Sequence, residues 1–278
     1  ALPNVFPGYQ RVTDAAALEC VKAGTSVTRL EIEAMLSQGL PNTPMAGGYM
    51  RVTGGNFITA RPVGVVDGVD LQYTGAVRRI IAEEIQADLD QQNVVLISPL
   101  GLSPSGEIFN LSLEDVAEAV AVALKADKLI YLCDAEGLTD AEGRLIESLT
   151  ADEAQTLLQE REDAGLSEDL RLFVPRAISA VRRGVGRVHL IHYDRDGGLL
   201  LEFFTHAGVG TVISRDPLFR LREATVEDVG ALVSLISPME ADGTLVRRNR
   251  ERLEQEINRF TLVEHDGVLV GCAALYPF

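Results

Sequence analysis

The chain has 278 residues, of which 46% are hydrophobic and 24% charged, and its formal net charge is −16. This length accommodates one large or two ordinary domains, and the composition is that of a globular protein. The negative charge would repel phosphate backbones and anionic lipids, which argues against a nucleic-acid or membrane-surface partner. No apolar run approaches the roughly 20 residues that cross a bilayer.

Helical and strand patterns alternate through the first 215 residues. Apolar spacing predicts a helix over residues 14–38 with Asp14 as its cap, and alternating segments at 49–53 and 57–66 around Gly54-Gly55-Asn56 predict a β-hairpin. Because continuous apolar strands separated by helices are typical of parallel sheets, we expect an α/β fold whose mostly parallel sheet is covered on both faces. The remaining predicted elements are helices at 82–91, 113–126, 151–161 and 170–184, strands at 94–98, 129–133 and 188–193, and a loop at 99–106.

Two patterns follow each other near the end of the chain. Residues 199–204 predict a short amphipathic helix, after which Gly208-Val209-Gly210-Thr211 opens an apolar strand. Beyond a short linker at Asp216-Pro217 the pattern becomes a strand, two helices and an antiparallel pair, and Thr225 is the expected cap of the first helix. These five elements are expected at residues 219–223, 226–238, 248–258, 260–264 and 268–275.

Cysteine and histidine usage gives no indication of a metal site. Cys20, Cys133 and Cys272 lie far apart in apolar surroundings, and the histidines form no zinc-ligand spacing with them. We therefore expect reduced, buried thiols, no bound metal and a cytoplasmic location.

Two sequence runs resemble known families. The run L-L-x-E-x-F-T-x-x-G-x-G-T, ending at Thr211, resembles the end of the amino-acid kinase fold in arginine-regulated acetylglutamate kinases. The run R-E-A-x-x-x-D-V, starting at Arg222, resembles the opening of a GNAT acyltransferase domain. Bacterial N-acetylglutamate synthases join these domains in that order, and the chain resembles them along nearly its whole length. The resemblance implies an amino-acid kinase-like three-layer sandwich at residues 1–215, lacking its N-terminal part, and a GNAT domain at 219–278 that is truncated after its third strand.

The resemblance also implies a reaction. In such synthases the amine of L-glutamate attacks the thioester of acetyl-CoA, a base takes the proton and backbone amides stabilise the oxyanion, which opens arginine biosynthesis. L-arginine is expected to bind the kinase-like domain as a feedback inhibitor, and a homo-oligomer is expected because family members form hexamers. The base and the cofactor loop are expected beyond Phe278, so no catalytic residue is assigned and this chain alone is expected to be inactive. The alternatives are an acetylglutamate kinase and a non-catalytic arginine sensor.

Residues 107–138 resemble the substrate and nucleotide core of acetylglutamate kinases. By this resemblance Asn110 stands where the kinases bind acetylglutamate, Asp115 where an aspartate organises the active-site lysines, and Asp134 where an aspartate faces the nucleotide. Arg11, in the run R-V-T-D, matches an arginine that meets the substrate carboxylate. We expect these four positions to be vestigial. Ser112 and Asp115 also form a capping-box-like pair, so Asp115 alternatively serves only to cap its helix.

The kinases carry a Pro-Lys pair whose lysine neutralises the transferring phosphoryl group. This chain offers Pro175-Arg176 at that place, or Phe173 if one counts back without gaps from the strand that holds His189. A planar guanidinium does not replace a compact ammonium in such a pocket. Phosphoryl transfer is therefore not expected.

The spacing of His189, Glu202 and Gly208 matches the positions that line the L-arginine site of the arginine-inhibited kinases. A carboxylate suits a guanidinium because its two oxygens accept a forked pair of hydrogen bonds, and a glycine lets backbone carbonyls approach the ligand. Without the surrounding match, a residue such as Glu202 is more often a charge on a helix surface.

Residues 243–249 lie between the two helices of the second domain. By resemblance, a leucine and an arginine from this segment hold the substrate glutamate, which indicates Leu245 together with Arg247 or Arg248. Either guanidinium could grip a carboxylate bidentately, while the backbone of Leu245 offers further hydrogen bonds. The alternative is that both arginines are solvated at a helix start, where cations are unfavourable.

Overall fold

The computed structural model describes residues 11–38, 50–160, 166–204, 209–265 and 267–276. The chain divides into two compact units, Ala1–Arg215 and Asp216–Phe278. Each unit is described by itself below. Within the described ranges, no helix is both long and apolar enough to cross a membrane.

Unit 1 begins with the predicted helix. Helix α1 (Ala15–Leu36) is capped by Asp14, whose side chain accepts a hydrogen bond of 2.8 Å from the backbone N–H of Ala17. Helices α2 (Ala82–Asp90), α3 (Leu113–Ala123), α4 (Ala151–Glu160), α5 (Glu168–Arg182) and α6 (Gly198–Phe204) follow. The strands of this unit are β1 (Val52–Thr53), β2 (Ile58–Pro62), β3 (Val65–Val66), β4 (Val69–Asp70), β5 (Gly75–Ile80), β6 (Val94–Val95), β7 (Leu100–Leu102), β8 (Ile108–Asn110), β9 (Lys128–Cys133), β10 (Ser148–Thr150), β11 (Arg187–His192) and β12 (Thr211–Ser214).

The hairpin predicted around Gly54-Gly55-Asn56 is wrong. Strand β1 pairs in parallel with β6, whereas β2 pairs with β5 and β7 of another sheet. A Cβ at Gly54 would lie 2.9 Å from the carbonyl oxygen of Leu96, so this glycine permits a close backbone approach instead of a turn. The loop predicted at residues 99–106 is wrong in part as well, because its beginning forms β7.

The central sheet of unit 1 has the order β10-β12-β11-β9, and two of its three pairings are parallel. Strand β11 is buried on both faces. Val188 and Leu190 join the hydrophobic core formed with α5, while His189 and Ile191 face the opposite way, toward α6. The sequence-based expectation of an α/β fold with a mostly parallel sheet is therefore confirmed.

A second, mixed sheet has the order β5-β2-β7-β8. Its core contains Ile58, Ala60 and Phe109, which pack with Leu111 and with Val116 of α3. This packing fixes the end of β8, so that Asn110 bridges to Thr74.

Unit 2 contains β13 (Phe219–Glu223), α7 (Val229–Ala241), α8 (Arg250–Glu256), β14 (Phe260–His265) and β15 (Val268–Ala274), in the order that the sequence predicts. The three strands form an antiparallel sheet in the order β13-β14-β15. Thr225 starts the first helical segment through a capping box, since its backbone N–H donates to Asp228 Oδ2 at 2.7 Å. The core between the sheet and the helices is formed mainly by Val229, Leu232, Leu253, Phe260 and Leu262.

The three cysteines differ in exposure. Cys133 is buried, Cys272 is half-buried and Cys20 is exposed. The expectation of three buried thiols is therefore wrong for Cys20, because only one residue of α1, Leu18, is buried and Cys20 lies on a different face of that helix.

Candidate functional sites

The residues assigned to the kinase-like substrate position converge on two threonines. The Nδ2 atom of Asn110 donates to Thr13 Oγ1 at 3.1 Å, and the backbone N–H of Thr13 donates to Thr74 Oγ1 at 3.0 Å. The hydroxyl of Thr74 in turn donates to the backbone carbonyl of Arg11. The structure thus links the side chain of Asn110 to the backbone carbonyl of Arg11 through the two threonines. Sequence reasoning missed Thr13 and Thr74, although Thr13 stands within the R-V-T-D run.

Asp115 forms an ion pair with Arg176 across helices α3 and α5. The distance from Arg176 Nε to Asp115 Oδ1 is 2.7 Å, and both side chains are about one-third exposed. Burial by itself lowers the pKa of Arg176, but the hydrogen bond and the charge of Asp115 outweigh it and leave that pKa raised. Phe173, the other residue considered for the lysine position, is buried and stacks on Tyr131 with 4.6 Å between the ring centroids. Arg176 is therefore the residue that meets Asp115.

The capping-box-like pair predicted for Ser112 and Asp115 is wrong. Ser112 is the N-cap of α3, but its side chain makes no capping hydrogen bond, and its buried Oγ has no partner among the described residues. The carboxylate of Asp115 instead accepts a charge-assisted hydrogen bond from Arg176 Nε at 2.7 Å, so it is directed toward α5 and away from the N-terminus of α3. The alternative that Asp115 only caps its helix is wrong for the same reason.

Two further carboxylates are held at the same helices. Glu118 is buried and accepts hydrogen bonds from Ser179 Oγ at 2.6 Å and from Arg183 Nη1 at 2.7 Å. The backbone N–H of Asp134 donates to Asp169 Oδ2 at 2.9 Å, and burial, aided by the charge of Asp134, raises the pKa of Asp169. The position expected to face a nucleotide thus carries two neighbouring carboxyl groups, which would repel phosphates.

His189 and Glu202 form a buried pair between β11 and α6. The side chains are 4% and 2% exposed, and His189 Nδ1 is hydrogen-bonded to Glu202 Oε1. The other carboxylate oxygen, Oε2, accepts the backbone N–H of Val209 at 2.8 Å. Glu202 is therefore not a helix-surface charge, and that alternative is wrong. Gly208, the third predicted residue of this site, lies outside the described residues.

The electrostatics of this pair keep Glu202 ionised. Burial raises the pKa of Glu202, but the hydrogen bonds from His189 and Val209 and the charge of Lys128 outweigh burial and lower it. His189 Nε2 is buried and has no hydrogen-bond partner among the described residues. A buried imidazole nitrogen without a partner, next to a buried carboxylate, is what a polar ligand would complete.

Lys128 is a member of this neighbourhood that sequence reasoning missed. It lies on β9, the strand beside β11, and its Nζ is 5.3 Å from the centroid of the Phe203 ring on α6. Two apolar strands in sequence, β9 and β11, predict a parallel pair. Aligning their starts would have placed Lys128 beside Arg187, two residues before His189. No group of three or more His, Cys, Asp and Glu side chains in the described part of the chain could hold a metal ion.

In unit 2 the two candidate arginines differ. The backbone N–H of Arg248 donates to Glu240 Oε1 at 3.0 Å, and its Nη1 donates to the hydroxyl of Tyr276 at 3.0 Å. Arg247 is exposed and makes no hydrogen bond or ion pair with any described residue. The backbone N–H of Leu245 already donates to Met239 O at 2.9 Å, which leaves the carbonyl of Leu245 for other contacts. The reading in which both arginines are simply solvated does not hold for Arg248.

The fold and this site define a class of protein. The sequence model of the Amino acid kinase family matches residues 3–192, about two-thirds of the chain, so the chain belongs to this family. The chain is 53% identical over 268 residues to an amino-acid acetyltransferase of Ralstonia nicotianae, and 50% identical over 267 residues to one of Azotobacter vinelandii. These alignments cover 96% of this chain and 59% and 61% of the relatives. The chain therefore spans about three-fifths of the length of the curated relatives it matches.

Two solved structures of N-acetylglutamate synthase from Neisseria gonorrhoeae are similar to the chain. The complex with coenzyme A and L-arginine has a TM-score of 0.84 and 36% identity, and the match covers 98% of this chain and 62% of that chain. The complex with coenzyme A and N-acetyl-glutamate has a TM-score of 0.68 and 37% identity, with coverage of 98% and 61%. Both matches extend through unit 1 and unit 2.

Proposed function

We propose that the gene product is an N-acetylglutamate synthase that transfers the acetyl group of acetyl-CoA to L-glutamate and is inhibited by L-arginine. The observation that carries the proposal is the similarity to the Neisseria gonorrhoeae synthase, which covers 98% of the chain and both of its units. Unit 2, with its β-α-α-β-β order, is then the beginning of a GNAT domain, and unit 1 is the arginine-binding regulator.

Glutamate recognition falls to residues 243–249 of unit 2. Of the two arginines, Arg247 makes no hydrogen bond with a described residue and can pair with a substrate carboxylate, whereas the guanidinium of Arg248 already donates to the hydroxyl of Tyr276. The carbonyl of Leu245 can accept a hydrogen bond from the substrate amine, since its backbone N–H is already used.

The reaction is a direct acyl transfer from the thioester to the amine, through an oxyanion formed at the carbonyl. The nitrogen of glutamate attacks the carbonyl carbon of the thioester, a C–N bond forms, and the C–S bond breaks to release the thiol of coenzyme A. The attacking amine must lose a proton to a base, and the departing thiolate must gain one to leave as the thiol. We assign neither that base nor the amides that hold acetyl-CoA to any of the described residues.

Arginine binding falls to the His189–Glu202 pair. Each carboxylate oxygen has two lone pairs, so Glu202 can accept guanidinium N–H groups in addition to its bonds from His189 and Val209. When Nδ1 of His189 donates to Glu202, Nε2 is a buried acceptor that a guanidinium can satisfy. Lys128 supplies a nearby positive charge for the α-carboxylate of the ligand. Gly208 belongs to this proposed site on the strength of its spacing.

Assembly and location follow the same proposal. We infer a homo-oligomer, as the resemblance to N-acetylglutamate synthases implies, and the cytoplasm as the compartment, because that is where acetyl-CoA and glutamate are used for biosynthesis. An acetylglutamate kinase is disfavoured because Arg176 pairs with Asp115 at the position of the required lysine.

The test is thiol release from acetyl-CoA by the purified gene product, with and without L-glutamate. We expect glutamate-dependent release that falls when L-arginine is added. The variant Arg247→Gln should raise the KM for glutamate roughly 10-fold or more, the range for losing a hydrogen bond to a charged group.

The matched control is Arg250→Gln. Arg250 is an exposed arginine of the same region that pairs with Glu254 on its own helix, so its loss should leave the KM unchanged. Arginine binding without any glutamate-dependent thiol release would identify a non-catalytic arginine sensor and overturn the proposed enzyme.

A further inference from the structure

The loop between α7 and α8 is fixed from the side of α7. This segment, residues 242–249, is called the substrate loop below. The backbone N–H of Thr244 donates to Asp242 Oδ1 at 2.9 Å and that of Leu245 donates to Met239 O at 2.9 Å. These bonds hold the start of the loop against the last turn of α7, although residues 241–250 are all exposed.

The end of the substrate loop is fixed through Arg248. Its guanidinium carbon lies 5.4 Å from the ring centroid of Tyr276 and 5.9 Å from that of Phe260, a buried residue of β14. Its Nη1 also donates to the hydroxyl of Tyr276. An exposed arginine that stacks on two rings and donates to one of them is held in place and does not sample solvent freely.

Tyr276 is itself oriented by a carboxylate. Its hydroxyl donates to Glu256 Oε2 at 2.7 Å, and the guanidinium of Arg259 lies 5.0 Å from the centroid of its ring. A phenol has one proton, so the bonds run in one direction, from Arg248 to Tyr276 and from Tyr276 to Glu256. The hydrogen bond to Glu256 raises the pKa of Tyr276, which keeps the phenol protonated and both hydrogen bonds in place.

We propose that Tyr276 is a positioning residue for glutamate binding, acting through Arg248. By holding Arg248, and with Glu256 holding Tyr276 in turn, it fixes the end of the substrate loop and so keeps Arg247 presented for the substrate carboxylate. This inference rests on the proposed function. It assigns no contact with substrate to Tyr276, Glu256 or Arg248.

The experiment compares Tyr276→Phe with wild type in the thiol-release assay. Phenylalanine keeps the ring under both guanidinium groups and removes the hydroxyl. We expect the KM for glutamate to rise about fivefold to tenfold, less than for Arg247→Gln. A loosened substrate loop weakens the hydrogen bond between Arg247 and the substrate without removing it, so only part of its binding free energy is lost. The kcat and the KM for acetyl-CoA should stay within about twofold of wild type. Tyr193→Phe, at an exposed tyrosine of unit 1, is the control and should change none of these constants.

A double variant separates positioning from general stability. If Tyr276 acts through Arg248, then Tyr276→Phe combined with Arg248→Gln should raise the KM for glutamate no further than Arg248→Gln alone. Glu256→Gln, which leaves the tyrosine in place, should give a smaller rise in the same constant and serves if Tyr276→Phe does not fold. An unchanged KM for glutamate in both Tyr276→Phe and Glu256→Gln, or full additivity in the double variant, overturns the inference. Absence of glutamate-dependent thiol release from wild type would instead contradict the proposed function.

Discussion

Two of the charged sites in unit 1 differ in how completely their polar groups are satisfied. Between α3 and α5, Asp115 is bonded to Arg176, and Glu118 is bonded to Ser179 and Arg183. Between β11 and α6, Glu202 is bonded to His189 and to the backbone, but the other nitrogen of the buried imidazole has no partner among the described residues. In the first arrangement every one of these charged side chains is paired with another side chain, whereas in the second, one nitrogen of a buried side chain, His189, has no partner among the described residues.

This difference indicates which of the two sites binds a ligand. A buried polar group without a partner costs free energy, so such a group persists where a ligand or water completes it. A carboxylate that is already paired with a guanidinium of its own chain contributes much less binding free energy to a ligand. We therefore expect binding at the His189–Glu202 pair and a structural role for the Asp115–Arg176 pair.

The largest expected effect is on arginine binding. Glu202→Gln keeps the size of the side chain and an acceptor oxygen but removes the negative charge that a guanidinium requires. Calorimetry with L-arginine should show a loss of affinity on the order of 100-fold, as for a buried hydrogen-bonded charge pair in which one partner is neutralised. The sample is the purified gene product.

The control for that measurement is the matched change at the Asp115–Arg176 site, Asp115→Asn. It also neutralises one carboxylate of unit 1, and arginine affinity should stay within about twofold of wild type because Asp115 is already engaged with Arg176. Equal affinity of wild type and Glu202→Gln for arginine would show that the ligand site lies elsewhere.

A smaller effect is expected on stability, and at the other site. Asp115→Asn leaves Arg176 without its ion-pair partner, and because both side chains are about one-third exposed the loss is screened by solvent. We expect the free energy of unfolding to fall by about 1–2 kcal/mol, measured by urea denaturation. Asp152→Asn, which breaks the more exposed pair with Arg182, should cost less than about 0.5 kcal/mol. Equal losses in the two variants would show that the α3–α5 pair is an ordinary surface pair.

The fold was predictable where one local pattern determines one element. The apolar strands at the centre of unit 1 and the helices around them follow from apolar spacing and, for α1, from the cap at Asp14. The β1–β2 hairpin was not predictable correctly, because Gly54 is required by the backbone of Leu96, which is far away in the sequence. A glycine gives the same sequence signal for a turn and for a close approach.

The resemblance located His189 and Glu202 of the candidate site, but it gave neither their bonding nor the nearby Lys128. The positions of His189 and Glu202 came from the resemblance, but nothing local shows that Glu202 is buried, since its helix is otherwise largely exposed. Lys128 was missed because it reaches the site through the pairing of β9 with β11. The partner of Asp115 was misjudged because Arg176 is 61 residues away in sequence and competes with the nearby backbone for the same carboxylate.

The last prediction is that no phosphoryl transfer occurs at the Asp115–Arg176 site. A coupled assay of ADP release with ATP, magnesium and N-acetylglutamate should show no turnover by the gene product, because no ammonium stands where the phosphoryl charge develops. We expect the same of Arg176→Lys, although it supplies that ammonium. Asp115 would still pair with the new lysine, and the carboxyl groups of Asp134 and Asp169 would still lie together at the expected nucleotide position. A known acetylglutamate kinase run in parallel verifies the assay. Turnover near 1 per second in Arg176→Lys would lie at the lower end for kinases. It would mean that Arg176 alone prevents phosphoryl transfer at this site and that the neighbouring carboxyl groups do not prevent it.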